Sequence, residues 1–452
     1  MINPEFYLHK SDQLALDSLK AVPGFDQIVR AFLSVWNEKR FKLENMSCNL
    51  RINEEQLSKY YDMLPPICAK LGIAVPELYL KLDPYPNAYT YGDTSPFIVI
   101  TSSLLETLPD ELIPSVLAHE CGHIACHHTL YKTMARLLIN GGLSLLNLPD
   151  IAVSAIYAAL MYWSRCSEFS ADRAAAICDG SSDKTIKTCL RFAGFDKDIL
   201  GEVNIDAFLK QAIEYNEMVS EKKVNKAFEL MLIWRNSHPL NSVRALEISK
   251  WSDTDNFRKI VEYSKSCNNS SDVDLACLLN ERPITKSSKE YIGKSKDDVL
   301  NDIAELGFKN VISKKITTKG SFVKDLQVVA VYINESSTFE KVDWFSLDSK
   351  VIVEYYEAET EEEIIAAHPG QKRVPNSAKK YRGMLYEKVV LDLQNSGFNN
   401  INITKRAIEK KKYFIKEKSV FAISINGQTQ FNKDEWFDEE SIIEIEVYMS
   451  KD

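Results

Sequence analysis

Residues 115–128 read Ser115-Val-Leu-Ala-His119-Glu120-Cys-Gly-His123-Ile-Ala-Cys-His127-His128. This stretch contains the pattern His-Glu-x-x-His. If it is helical, both imidazoles leave the same face about one turn apart. That arrangement suits two of the four positions around a tetrahedral zinc ion. Glu120 is turned about 100° from His119, so it can lie beside the metal and accept a proton from an attacking water.

A third ligand would separate a catalytic zinc site from a chance match to a short motif. The candidate lies in Ser164-Arg165-Cys-Ser-Glu168-Phe-Ser-Ala171-Asp172, where Glu168 and Asp172 are again four residues apart. Glu168 can complete a set of two histidines and one glutamate, which leaves one position open. Asp172 can accept a hydrogen bond from the outer nitrogen of a ligating histidine. The spacing therefore predicts one zinc ion per chain.

Other side chains close to these motifs are alternative ligands. They are Cys121, Cys126, Cys166, Cys178, His127 and His128. For the cysteines we favour packing as small buried residues of the helices. We favour Glu168 over either histidine, and we expect His127 to lie on the same face as His123 without binding zinc.

Four motifs in this order resemble the gluzincin peptidases that include HtpX and the CAAX prenyl endopeptidase. They are Asn87-Ala88-Tyr89, His119-Glu-x-x-His123, Ser164-Arg165-x-x-Glu168-x-x-Ala171-Asp172, and His238-Pro239 with Arg244. The resemblance covers residues 54–251. It does not extend to the last 160 residues or so of the chain.

The resemblance implies roles for residues that spacing alone does not explain. It implies that His238 donates a hydrogen bond to the developing oxyanion and that Arg244 is a structural cation near the site. It also implies that Asn87-Ala88-Tyr89 belongs to an edge strand that pairs with an extended peptide substrate. Arg165 could pair with a nearby carboxylate.

Composition excludes some functions and favours a cellular location. The 452 residues carry a formal net charge of −9, whereas nucleic-acid binding requires a basic surface. Nine cysteines without CxxC pairs indicate free thiols in a reducing compartment. The N-terminal residues do not have the pattern of a signal peptide. We therefore expect a cytoplasmic protein with no nucleic-acid partner.

The helix that carries the first motif is predicted to begin between Asp110 and Pro114 and to continue to Asn140-Gly141-Gly142. Gly122 within it suggests a close helix crossing or metal approach. Leu137 to Trp163 is the most apolar region, but glycine and proline pairs divide it into pieces shorter than the roughly 20 residues of a membrane span. We expect a buried helical hairpin without a transmembrane span; the sequence leaves peripheral membrane contact open.

The C-terminal region contains an internal repeat. Tyr291-Ile-Gly293 matches Tyr381-Arg-Gly383, and Gly307-Phe308 matches Gly397-Phe398, both at an offset of 90; Trp344-Phe345 matches Trp436-Phe437 at an offset of 92. Each copy is predicted to form a helix followed by three strands, an order similar to PASTA-type repeats. Each copy has its own helix and apolar strands, and a protein partner could bind there.

These observations predict an α+β fold. A mainly helical zincin-like (gluzincin) domain with a small sheet would occupy residues 1–285, including an N-terminal helical cap whose expected role is packing. Two small α+β modules would follow at 286–357 and 376–452. The predicted function is a zinc-dependent endopeptidase with Glu120 as general base. The alternative is a zinc-containing adaptor that acts through its repeats, but a structural zinc normally has four protein ligands.

Overall fold

The computed structural model describes residues 1–35, 37–92, 94–139, 150–194, 202–221, 240–266, 275–317, 324–407 and 416–449. These residues form two compact units that divide near residue 355, with a short stretch at 316–317 counted in the second. The first unit contains both metal motifs and nearly all of the first repeat. The second unit contains the second repeat.

Helices make up most of the first unit before residue 280. In chain order they are α1 (Lys10–Lys20), α2 (Phe25–Val35), α3 (Glu38–Cys48), α4 (Ser58–Tyr61), α5 (Leu64–Leu71), α6 (Ser102–Thr107), α7 (Ile113–Ala125), α8 (Thr129–Ile139), α9 (Asp150–Asp179), α10 (Asp183–Phe192), α11 (Ile205–Glu221), α12 (Asn241–Ser252), α13 (Asp255–Ser266) and α14 (Leu275–Leu279). Short 3-10 turns lie at Pro4–Phe6 and Asp110–Leu112.

One small sheet accompanies these helices. Its strands are β1 (Leu50–Ile52), β2 (Glu77–Lys81), β3 (Ala88–Tyr91) and β4 (Phe97–Thr101), in the order β1-β2-β4-β3. β2 and β4 are parallel, and the other two pairs are antiparallel. Mainly helical structure with a small sheet confirms the predicted α+β class.

The first metal helix begins where the sequence predicts but ends earlier. Pro114 lies in the first turn of α7, which ends at Ala125 rather than at 140–142. The chain turns at His127, whose φ of 58° is left-handed, and α8 then starts at Thr129. The prediction of one continuous helix was therefore wrong, because no glycine or proline marks this turn in the sequence.

The second metal helix, α9, crosses α7 at close range. A Cβ atom on Gly122 would lie 2.7 Å from the Cβ of Ala174 and 3.1 Å from the Cα of Ala171. Real Cβ atoms do not approach other atoms so closely, so only glycine fits without a shift. The close crossing anticipated for Gly122 is confirmed, and it brings the two metal motifs together.

The repeats begin with short strands that precede the predicted limits. The first repeat comprises β5 (Glu281–Pro283), α15 (Ser288–Tyr291), α16 (Lys296–Glu305), β6 (Asn310–Ile316), β7 (Val328–Ile333), β8 (Trp344–Ser346) and β9 (Lys350–Tyr356). After α17 (Glu361–Ala366), the second comprises β10 (Gln371–Arg373), α18 (Ala378–Tyr381), α19 (Tyr386–Asn395), β11 (Ile401–Ala407), β12 (Val420–Ile425), β13 (Trp436–Asp438) and β14 (Ile443–Met449).

Both copies have the same topology, which confirms the repeat. Their sheets have the orders β6-β9-β7 and β11-β14-β12, and the short pairs are β5-β8 and β10-β13. Gly307 and Gly397 follow the longer helices with φ of 84° and 95°, a left-handed conformation that favours glycine. Tyr291 and Tyr381 are buried at corresponding positions in separate cores.

Within the described residues, no helix combines the length and the apolar character that crossing a membrane would need. The predicted helical hairpin at 137–163 lies partly outside those residues.

We predict that Gly122→Ala destabilises the protein despite the higher helix propensity of alanine. The added methyl group gains about 1 kcal/mol of propensity, but overpacking against Ala171 and Ala174 typically costs about 1–3 kcal/mol. Denaturant unfolding of Gly122→Ala, Ala174→Gly and the double variant measures the coupling. The loss of unfolding free energy in the double variant should be smaller than the sum of the losses in the two single variants. Strict additivity would contradict the close crossing.

Candidate metal centre

Three buried side chains converge where α7 and α9 cross. The ligand atoms of His119, His123 and Glu168 all lie within 4.8 Å of one another. His119 Nε2 is 3.4 Å from Glu168 Oε2, and His123 Nε2 is 3.3 Å from Glu168 Oε1. The two histidines come from one helix face and the glutamate from the facing helix, so the crossing assembles the set.

This donor set fits zinc. Two imidazole nitrogens and one carboxylate are borderline donors that zinc accepts, and bond lengths of about 2.0–2.1 Å in a tetrahedron place neighbouring ligand atoms about 3.3 Å apart. The two nitrogen–oxygen distances given above, one to each Glu168 oxygen, are close to that spacing. Three protein ligands leave a fourth position for a reactant, as in catalytic zinc sites.

Asp172 contacts the first histidine of the cluster. Its Oδ1 lies 2.9 Å from His119 Nδ1. Because a carboxylate can only accept, Nδ1 carries a proton, and Nε2 is the nitrogen that would bind a metal after losing its own proton. Burial lowers the pKa of metal-free His119, but the hydrogen bonds with Asp172 and Glu168 outweigh it and raise the value to about 9.

Arg244 on α12 secures Asp172 in turn. Its Nε and one terminal nitrogen donate to the two Asp172 oxygens at 2.8 and 2.6 Å, a bidentate pair. Burial raises the pKa of Asp172, but the charge and hydrogen bonds of Arg244 hold it below the ordinary value. Another terminal nitrogen of Arg244 lies 3.4 Å from Glu168 Oε2. Arg244 therefore joins α12 to two carboxylates of the second metal motif.

Lys132 on α8 faces the same cluster. Its ammonium donates to His123 Nε2 at 2.9 Å and to Glu168 Oε1. An ammonium has no acceptor, so Nε2 of His123 presents its lone pair to the cluster. That lone pair can serve Lys132 or a metal, but not both. Metal binding therefore requires the Lys132 side chain to rotate away.

Glu120 lies beside the cluster of His119, His123 and Glu168 and is not part of it. It is 2 % exposed, and its Oε2 accepts a hydrogen bond of 2.6 Å from the hydroxyl of Thr90 on β3. This bond uses only one of the two carboxylate oxygens of Glu120. The strand thus fixes a carboxylate next to, but outside, the metal ligand set.

The predicted substrate segment lies at the edge of the sheet. β3 is the terminal strand in the order of the described residues. Thr101 N donates to Asn87 O, so Asn87 and Thr101 form a hydrogen-bonded pair. Such pairs alternate in an antiparallel ladder, so the backbone N–H and C=O of Tyr89 also point towards β4. The peptide groups of Ala88 and Thr90 therefore point away from β4. The guanidinium of Arg136 covers the Tyr89 ring at 3.7 Å.

A cavity of about 220 Å³ opens beside His119 and Glu120. Its uncharged lining includes Ala88, Val116, Ala175, Thr188 and Phe192. The lining charges of Asp172 and Arg244 are paired with each other. Apart from Glu120 and His119, the lining of the cavity is therefore apolar or paired in charge.

The remaining predicted residues are not part of the cluster. His238 lies outside the described residues. Arg165 is 5.9 Å from the Tyr162 ring and is not in the ligand set. Cys121 is buried, with its Sγ 3.9 Å from that of Cys68, and among the described residues no cysteine belongs to the cluster. His127 is exposed, so its expected place on the His123 face was wrong, because α7 ends before it.

Sequence reasoning missed Thr90, Lys132 and the role of His128. Lys132 is nine residues after His123, which on one continuous helix would place it on the opposite side. The turn at His127 removes that relationship. Thr90 lies one residue beyond the predicted substrate segment, and only the sheet register could place its hydroxyl on Glu120.

Comparisons with known proteins agree with this geometry. The sequence model of Peptidase family M48 matches residues 62–252. The chain is 30% identical over 266 residues to Plastoglobule-localized metallopeptidase 48, chloroplastic, of Arabidopsis thaliana, covering 58% of this chain and 76% of that protein. It is 34% identical over 86 residues to Protease HtpX homolog 1 of Sulfurisphaera tokodaii, covering 19% and 28%.

Among solved structures, two chains from Ser/Thr kinases of Staphylococcus aureus are similar to part of this chain. The extracellular region of the Ser/Thr kinase PrkC from Staphylococcus aureus is 16% identical, covers 38% of this chain and 48% of its own, and has a TM-score of 0.16. A three-PASTA-domain structure of a Ser/Thr kinase from the same organism has 14% identity, coverage of 37% and 68%, and a TM-score of 0.15.

We predict that Arg244→Met destabilises the metal-free protein by about 3–5 kcal/mol, because it leaves Asp172 buried without its bidentate partner. The matched control is Arg258→Met, which removes an exposed pair with Asp255 and should cost less than about 1 kcal/mol. Urea unfolding of both variants measures the difference. Equal and small effects would contradict a structural role for Arg244.

Proposed function

Because this chain belongs to peptidase family M48, we propose that it is a zinc-dependent endopeptidase whose catalytic base is Glu120. The observation that carries the proposal is the cluster of His119, His123 and Glu168 with Glu120 next to it but outside the ligand set. A structural zinc site has no use for an additional carboxylate at that position, whereas peptide hydrolysis requires one.

One zinc ion per chain would be held by the two imidazoles and the Glu168 carboxylate. When bound, zinc supplies a Lewis acid that acidifies water and polarises a carbonyl. The paired Asp172 and Arg244 hold His119 in the tautomer that coordinates.

Glu120 would move the proton. One carboxylate oxygen is anchored by Thr90, and the carboxylate lines the cavity beside His119. It can accept a proton from the attacking water and deliver it to the leaving amine, so that the peptide bond breaks and no net proton is lost. His238 remains the proposed oxyanion donor on the basis of the family resemblance.

The substrate would be an extended peptide. The outward peptide groups of Ala88 and Thr90 can add one strand to the edge of the sheet. This strand also carries the Thr90 contact to Glu120, so the pairing would align the scissile bond with the base. Away from Glu120, the lining of the adjoining cavity is uncharged or paired in charge, so the cavity would receive an uncharged side chain of moderate size.

A cytoplasmic location and a partner for the repeats stay proposals. The first is supported by the cysteine content of the sequence. The second is supported by the repeats themselves: each has its own core, so its outer surface would be available to bind a partner. If the repeats alone were the working part, the zinc would be structural and the chain an adaptor.

We predict about one zinc ion per chain after dialysis, measured by elemental analysis. Glu168→Ala removes a direct ligand and should weaken zinc binding by more than about 100-fold, since even outer partners of a ligand cost about 10–100-fold. Glu106→Ala, on an exposed residue of α6, is the control. A Glu168→Ala protein that binds zinc like the wild type would exclude Glu168 as a ligand.

We predict that Glu120→Gln folds, retains zinc and cleaves peptides at least about 100-fold more slowly, because it keeps the shape of Glu120 but removes its basicity. Digestion of a peptide library, with and without a chelator, provides the measurement. The control is Glu111→Gln, an exposed glutamate just before α7, which should cleave normally.

The outcomes separate the two functions. If the wild type cleaves and Glu120→Gln cleaves equally well, Glu120 is not the base. If the wild type binds zinc but cleaves no peptide in a broad library, even after the repeats are removed, the adaptor function is favoured.

A further inference from the structure

The second metal ligand is held by a chain of buried side chains that begins on the N-terminal helix. His123 Nδ1 lies 3.0 Å from His128 Nδ1, and His128 Nε2 lies 2.9 Å from Asp12 Oδ2. Asp12 and His128 are only 1 % and 2 % exposed. Asp12 lies on α1, about a hundred residues before the metal motif and outside the segment that matches the family.

The turn after α7 directs His128 back to the metal ligand. The left-handed conformation of His127 ends the helix, and the backbone N–H of His128 donates to the carbonyl of His123 at 2.9 Å. The His128 ring packs edge-on against Trp163, with ring centres 5.6 Å apart. His128 therefore has one well-defined position beneath His123.

Asp12 is built to accept hydrogen bonds. Its Oδ1 accepts from the Trp163 indole at 3.0 Å, and its Oδ2 accepts from the Ser170 hydroxyl at 2.6 Å and faces His128. Burial raises the pKa of Asp12, but His128 and these donors hold it below the ordinary value. The buried group is thus an ionised acceptor at the end of the chain.

The proton positions follow from both ends of this chain. At one end Lys132 donates to His123 Nε2, so the neutral ring carries its proton on Nδ1. His128 Nδ1 must then accept, and its proton resides on Nε2, where the Asp12 carboxylate accepts it. Each ring nitrogen of His123 and His128 is then either a donor or an acceptor, and the lone pair of His123 Nε2 points into the metal cluster.

We propose that His128 and Asp12 are positioning residues that fix the orientation and tautomer of the metal ligand His123. The N-terminal helix is then part of the metal centre rather than only a packing element. The inference rests on the zinc site proposed above. His123 would be linked to the Asp12 carboxylate through the His128 ring, whereas His119 contacts the Asp172 carboxylate directly.

Two substitutions at His128 separate positioning from packing. His128→Phe keeps a ring against Trp163 but has no acceptor, so zinc should dissociate about 10–100-fold more readily. His128→Gln can accept from His123 and donate to Asp12, and should restore affinity to within about threefold of the wild type. The control is His127→Asn, at an exposed left-handed position that asparagine tolerates. Competition with a zinc chelator, on the full chain, gives the affinities.

The outcomes distinguish this inference from the proposed function. A wild type that binds no zinc contradicts the zinc site itself. A wild type that binds zinc together with a His128→Phe protein of equal affinity overturns only the positioning role. Equal losses in His128→Phe and His128→Gln would also overturn it, because they would indicate packing alone.

A measurement on the wild type decides the question even if His128→Phe does not fold. Nitrogen NMR of the zinc-loaded full chain, with ¹⁵N-labelled histidine, reports which ring nitrogen carries a proton. We expect His128 to carry a proton on Nε2 and His123 to carry its proton on Nδ1. A proton on Nδ1 of His128 would contradict the chain from Asp12 to the metal ligand.

Discussion

The close crossing of α7 and α9 at Gly122 is the contact on which the metal centre depends. A single methyl group there would meet Ala174 at 2.7 Å and the backbone of Ala171 at 3.1 Å. The helices would have to move apart to relieve these contacts. Ligand atoms around zinc lie about 3.3 Å apart, which leaves little room for such a movement. Small residues on both helices therefore determine whether His119 and His123 can share a metal with Glu168.

The elements around this crossing hold the ligands by charge. Arg244 on α12 fixes the Asp172 partner of the first histidine, and Asp12 on α1 lies behind the second. The same helix α1 is tied to the first repeat through Lys10 with Asp343 at 2.5 Å and Asp17 with Lys341 at 3.2 Å. Within the first unit, the N-terminal helix thus contacts both the metal centre and a repeat module.

Local patterns in the sequence predicted most of the centre, because helix spacing places His119 with His123 and Glu168 with Asp172. They also predicted the repeat, since paired glycines and tyrosines recur at one offset. The end of α7 was not predicted, because His127 adopts a left-handed conformation without glycine. Thr90, Lys132 and Asp12 were missed for a related reason: each reaches the centre through tertiary packing that no spacing in the sequence encodes.

Zinc would be bound by nitrogen and oxygen donors from the two crossing helices. X-ray absorption spectroscopy of the zinc-loaded chain tests this coordination most directly, because zinc–sulfur bonds of about 2.3 Å differ from zinc–nitrogen and zinc–oxygen bonds of about 2.0–2.2 Å. The structure predicts nitrogen and oxygen neighbours with an imidazole signature and no sulfur. A sulfur neighbour would mean that a cysteine near the motifs is a ligand, which would contradict the site described above.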